Sequence, residues 1–408
     1  MGCPKIRNIN AFLTKISGQD MICLQDPAGI NEEMIFVSPD TFFIISLFDG
    51  QHSLLDIQSE YMRRFGQLLY TEKINEVIDD LDSRLLLDSD KFRDFKRQMY
   101  DEFIKSPVRT AIFAGKGYDK NEERLKDQIN NYFTSPEGPG RVNLDKSAKD
   151  IKGVVAPHID FSRGGTCYAF AHKEIGEASE ADIFVVLGTA HVETDNFFAL
   201  TLKDFETPLG ILETDKFFIN SLEKRCKGNL FVDELVHQRE HSIEFQCIFL
   251  QYLFGGQKKI KIVPILCGSF HKMVAQNTLP DEDPQVREFL MALKETISSS
   301  DRKVCLIASA DLAHLGLQFG DRHSMSSEKL QEISREDLQM LKYVENVDPN
   351  GFFLSIQKEN DKRRICGLSP IYTMLSTMES TRGKLLKYDQ WKDPQKQSTV
   401  TFASLVFY

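Results

Sequence analysis

From residue 151 onward the chain alternates short apolar runs with longer amphipathic stretches. The runs 153–156, 183–187, 261–266, 304–308 and 399–407 are rich in Val, Ile and Leu and are bounded by charged or turn-forming residues, as buried strands are. Between them, 240–254 and 285–297 carry a helical period. This alternation predicts an α/β domain over 151–408, with a central, mostly parallel sheet flanked by helices. The first hundred residues read differently. After the Asp49-Gly50 turn, Leu54, Ile57, Tyr61 and Phe65 stand three or four apart on one helix face. Ile74, Val77, Ile78, Leu81 and Leu85 repeat the pattern in the next stretch. A separate small α+β module over 1–105 is expected. The intervening SPVRT, AGKGYDKNEE and TSPEGPGRVNLDKSAKD predict a connector over 106–150, helical only from Arg124 to Phe133.

Composition narrows the function. With 408 residues, 41% hydrophobic and 27% charged, the chain reads as globular and multidomain. Its net charge of −10 argues against general nucleic-acid binding. No apolar run approaches the roughly 20 residues of a membrane-spanning helix. The start MGCPKIRN lacks a signal-peptide core, and Ile6 breaks the myristoylation pattern, so a cytoplasmic protein is expected. The eight cysteines form no CxxC pair, which predicts reduced, mostly structural thiols.

Candidate chemistry lies in the histidines. The run 153–156 stops at Pro157 and presents His158; the run 183–187 continues through Gly-Thr-Ala to His191. The run 304–308 is followed by Asp311 and His314. Carboxyl ends of parallel strands are where α/β sheets place ligand sites, and three such endings among nine histidines point to one shared site. In QREHSIEFQ, His241 and Glu244 stand three apart and are expected to line the same cleft. Cys366 precedes Gly367 and an apolar helix. His52, His172, His237, His271 and His323 follow no strand and receive no role.

The segments APHIDFSRGG, LGTAH, EHSIEFQ, SADLAH and CGLSPI, in this order, resemble the Memo family, known as component B of the AmmeMemoRadiSam system. The resemblance spans about 150–408. It implies the fold of the class III extradiol dioxygenases and a redox metal, iron(II) or copper(I) before zinc. His158, His191 and Cys366 are implied as metal ligands. His314 is implied as the acid–base residue with Asp311 beside it, and His241 and Glu244 as further cleft residues. A radical-SAM protein and an AMMECR1-type protein are the implied partners, and a peptide or small aromatic compound the implied substrate. The chain departs from the pattern at Ile159-Asp160-Phe161, at Arg163 and at Thr189-Ala190. Over 30–95, the DGQHSLLDI run and the helix ending LLLD are similar to PqqD-like modules of winged-helix type, which suggests partner docking. Two readings follow, a metal-dependent oxidoreductase and a non-catalytic metal carrier or scaffold. A zinc hydrolase using Glu244 or Asp311 ranks below both.

Overall fold

The computed structural model describes residues 3–16, 18–26, 30–31, 33–143, 150–322, 325–380, 382–393 and 397–408. It divides into two compact units, Met1–Lys105 and Ser106–Tyr408. His323, left without a role above, lies outside the described residues.

In the first unit, β1 (Asn10–Ile16), β2 (Gln19–Gln25) and β3 (Ile35–Val37) form an antiparallel sheet in that order. Four helices follow: α1 (Pro39–Ser46), α2 (Leu54–Phe65), α3 (Thr71–Ser83) and α4 (Asp90–Lys105). A reciprocal Ser53–Asp56 capping box starts α2, and Gly66 ends it at φ 69°. Ile57 and Tyr61 of α2 and Ile74, Val77 and Leu81 of α3 are buried together, as their spacing predicts. Leu85 departs from that face, because α3 stops at Ser83 and Leu85 turns to φ 60°.

The second unit holds the remaining elements. They begin with β4 (Val108–Arg109), α5 (Glu122–Thr134), β5 (Gly153–Ala156), α6 (Phe161–Ala178), β6 (Ile183–Thr189), β7 (Phe198–Leu200), β8 (Asp204–Thr207), β9 (Gly210–Leu212) and α7 (Lys216–Glu223). Next come α8 (Ser242–Phe254), β10 (Lys261–Cys267), α9 (His271–Gln276), α10 (Pro284–Ser298), β11 (Val304–Ser309) and β12 (Asp311–Gly316). The unit closes with α11 (Ser327–Glu345), α12 (Pro349–Gln357), α13 (Leu368–Thr377), β13 (Gly383–Asp393) and β14 (Ser398–Phe407). The main sheet runs β12-β14-β5-β11-β6-β10-β7, with β13 beside β14. Its centre, β5-β11-β6-β10, is parallel, while β14, β12, β13 and β7 pair antiparallel. The sheet is therefore mixed, parallel where the crossover helices return the chain and antiparallel at its flanks.

Alternate strand residues feed two cores, as the period of two requires. Val155, Val185 and Leu187 join Phe218, Phe289 and Ile371 on one side. Val154, Phe184 and Val186 join Tyr168, Phe245 and Phe249 on the other. Helix α8 is buried all round, which its near-continuous apolar sequence demands. No helix among the described residues is long and apolar enough to cross a membrane.

The expected connector belongs to this second unit. Tyr118 and the α5 residues Leu125, Ile129 and Phe133 lie in the core with α6 and α8, and β4 pairs with β8. Between 106 and 143 the breakers shape turns between buried anchors instead of a free linker.

His172 is buried against Phe249, at 4.7 Å between ring centres, and its Nδ1 bonds the Tyr168 carbonyl. Burial lowers its pKa to about 4. In the unfolded chain the ring takes up a proton as pH falls through 6.5, its ordinary value, while the folded ring stays neutral until about 4. Its stabilising share is thus present above the unfolded value and lost as pH falls across that window. Urea unfolding should show the parent losing up to about 1.4 kcal/mol per pH unit more than a His172→Phe variant below pH 6.5. Equal acid sensitivity would refute a neutral buried ring.

Candidate metal centre

Three histidines converge at the carboxyl ends of the parallel strands. His158 follows β5, His191 follows β6, and His241 stands at the start of α8. One ring nitrogen from each lies within 4.8 Å of the other two. Ring centres are 4.9 Å apart for His158–His191, 5.4 Å for His158–His241 and 4.8 Å for His191–His241. His158 is buried, whereas the His191 side chain is 36% exposed, so the cluster opens on the His191 side.

The ring tautomers follow from the partners. His158 Nδ1 lies 3.0 Å from the Ser309 carbonyl, which can only accept, so Nδ1 carries the proton and Nε2 a lone pair. His191 Nδ1 lies 3.0 Å, and His241 Nδ1 3.1 Å, from the carboxylate of Glu240. Both rings donate to that carboxylate through Nδ1. Three imidazoles converging on one space, with their Nδ1 atoms tied to a carbonyl or carboxylate, is the arrangement of metal-binding histidines. The donor set fits a metal ion.

The EHSIEFQ segment builds this cluster. Glu240 also accepts from the backbone N–H groups of His191, His241 and Ser242. Ser242 donates to the Thr189 carbonyl at 2.9 Å, closing α8 onto the turn that carries His191. Gln246 donates to the Pro157 carbonyl and to Ser309 Oγ, fixing the turn before His158. Glu240 was missed on sequence, although a glutamate directly before a cleft histidine was the available signal.

Glu244 occupies a different place from the one expected of it. Its carboxylate is fully buried and accepts from Arg109, the Tyr118 hydroxyl and the Phe113 N–H. Arg109 also donates to the carbonyls of His237 and Glu240, at 3.0 and 2.8 Å. Glu244 therefore anchors the 106–120 segment to the turn that carries His241. The expectation that Glu244 lines the cleft as a catalytic carboxylate is corrected: its acceptor sites are already taken.

Cys366 and Asp311 lie against His158. Cys366 Sγ lies 3.3 Å from His158 Nε2. Burial, reinforced by Asp311, pushes its thiol up. A bound cation would draw off that proton. Asp311 Oδ1 accepts from the N–H groups of His158 and Ile159, and Oδ2 lies 3.7 Å from His158 Nε2. Burial raises this carboxyl to about 7. Asp311 and His314 sit on β12, a strand the sequence reading did not foresee, with a bulge between them. His314 Nδ1 donates to the Leu312 carbonyl at 3.1 Å, and burial lowers its pKa to about 4. At neutral pH this ring is an acceptor through Nε2. Burial would lower His191, but Glu240 outweighs it and holds the ring above its ordinary value.

A cavity of about 400 Å³ adjoins the cluster, bounded by His191, Val192, Phe197, Ser269, His271 and Lys272. That volume is within the range of small-molecule sites.

The model of a family described as Memo-like protein matches residues 109–406. A MEMO1 family protein of Aquifex aeolicus is 29% identical over 408 residues, covering 99% of this chain and 100% of its own length. A MEMO1 family protein of Caldivirga maquilingensis is 29% identical over 308 residues, 74% of this chain and 99% of its own. The MEMO1 family protein MK0963 of Methanopyrus kandleri is 27% identical over 307 residues, 73% of this chain and 98% of its own. The family match begins at Arg109, the residue that anchors the turn carrying His241, and it encloses every histidine of the cluster. On that match, extending over almost the whole second unit, the chain belongs to the Memo-like family.

Proposed function

We propose that this protein is a metal-dependent redox enzyme with a dioxygenase-like site. The observation that carries the reading is the convergence of one ring nitrogen from each of three imidazoles whose Nδ1 atoms are held by Glu240 and Ser309. His158, His191 and His241 would hold the ion, with Cys366 as a thiolate donor beside His158. A mixed imidazole and thiolate set, with the Asp311 carboxylate nearby, suits iron(II) or copper(I). When bound, such an ion supplies one-electron chemistry and activates oxygen or a phenolic oxygen.

The protein's own groups do the rest. His314, neutral and accepting through Nε2, takes a proton from a phenol-like or enol-like substrate. The cavity beside His191 admits a small aromatic or 2-oxo compound. A radical-SAM protein and an AMMECR1-type protein are the proposed partners, supported by the ordered motifs shared with the three-component system. The third imidazole favours one second reading, a zinc ion, because three histidines with an open position also make a catalytic zinc site.

Elemental analysis of protein from its native host separates these. Oxygen uptake by the metal-loaded protein with catechol-like and 2-oxo compounds then tests the enzyme reading. If no compound elicits uptake while the ion is stoichiometric, the non-catalytic carrier or scaffold reading replaces it. His314→Ala should keep the ion and lose turnover about 10²- to 10⁴-fold. Loss of the ion in that variant would instead put His314 among the ligands.

A further inference from the structure

The loop that delivers Cys366 contains three non-glycine residues in the left-handed region, Asn360 at φ 52°, Asp361 at φ 47° and Arg364 at φ 54°. Such conformations persist only where surrounding contacts over-determine them, and they gather at functional sites. The contacts here can be traced. Arg363 binds Asp337 and Glu359 in the interior, and Arg364 binds Asp321 at 2.7 Å. Asp361 does two things at once. Its Oδ1 accepts from the Ile365 N–H at 2.9 Å, one residue before Cys366, and its Oδ2 accepts from His271 Nε2 at 2.5 Å.

His271 comes from elsewhere in the fold: it opens α9, just after β10, which pairs with β6, the strand that precedes His191. Both nitrogens of its ring are engaged. Nε2 donates to Asp361, so Nδ1 holds a lone pair, and Ser269 Oγ bonds it. The imidazole therefore sits in one orientation, on the wall of the cavity shared with His191. The Asp361 side chain is 5% exposed and that of His271 48%. The bond joins a half-exposed ring to a buried carboxylate at the edge of that cavity. The buried Arg363–Asp337 pair already ties the loop to the interior. What the His271–Asp361 contact adds is the placement of the last residues before the thiol.

We propose that His271 and Asp361 are positioning residues that hold the 360–366 loop so that the Cys366 thiol stays beside His158 Nε2. The inference rests on the reading of Cys366 as a thiolate donor.

Cobalt(II) loaded into the full-length protein provides the probe, because a thiolate ligand adds a near-ultraviolet charge-transfer absorption that imidazoles do not give. The parent should show this band, and Cys366→Ala should lack it. His271→Ala should keep stoichiometric cobalt on the three imidazoles and lose at least half of the band. His271→Gln, whose amide can still donate to Asp361, should restore most of it. Asp361→Asn, nearly the same size and still able to accept from Ile365, should behave like His271→Ala, which guards against a folding defect. If the parent band survives intact in both His271→Ala and Asp361→Asn, the clamp is refuted while the donor reading stands. If the parent shows no band, or Cys366→Ala leaves it unchanged, the donor reading fails and the clamp falls with it.

Discussion

Replacing Glu240 by alanine will weaken metal binding about 10- to 100-fold, the usual cost of losing the group that orients a ligating histidine. The upper end is expected, because one carboxylate here orients two rings. Without it, His191 and His241 are free to rotate and to change tautomer, and the N–H groups of His191, His241 and Ser242 lose their acceptor. Glu240→Gln should fall between parent and alanine, because its amide has one accepting oxygen and can serve one Nδ1–H. Competition against a chelator of known affinity measures all three proteins. Parental affinity in Glu240→Ala would mean that the rings are ordered by something other than this carboxylate.

The second large effect concerns Arg109. Both Arg109 and Glu244 are buried, at 1% and 0% side-chain exposure. Removing one partner of a buried ion pair leaves the other charge uncompensated, at a cost of about 3–5 kcal/mol. Arg109→Ala should therefore lower the unfolding free energy of the second unit by about that amount. The same reasoning fixes where a fragment can begin. Residues 106–408 should fold, because the fragment retains Arg109, Tyr118 and the α5 residues Leu125, Ile129 and Phe133. Residues 150–408 should be insoluble or molten, since α6 and α8 would lose their covering helix and Glu244 its cation. Urea titration followed by circular dichroism decides both points. A stable, cooperative fragment beginning at 150 would show that the 106–143 segment is an accessory.

Much of this was legible in the chain. The five strands read from apolar runs are present, β5 with the same ends and the others one or two residues longer at an end. Pro157 marks where β5 releases His158, because a proline ends the ladder, whereas β6 runs on through Gly188 and Thr189 before it releases His191. What local pattern does not encode is pairing over distance. Arg109 and Glu244 are 135 residues apart, and nothing in SPVRT indicates that its arginine will be buried. Glu240 and Glu244 exchanged importance for a related reason. A helix running from 240 would set His241 and Glu244 on one face, but α8 starts at Ser242, and Glu240 turns back toward the rings. The β12 strand escaped notice because its residues Asp311 to His314 read as the end of β11, and only pairing with β14 makes them a strand.

The most direct measurement of the central claim is the metal content per chain of the full-length protein and of His158→Ala, both purified without added metal from the native host. His158 is the buried member of the triad and touches both His191 and Cys366. The parent chain should carry about one ion, iron or copper, and the variant nearly none. A parent free of metal, or a His158→Ala protein that retains its ion, would contradict that claim.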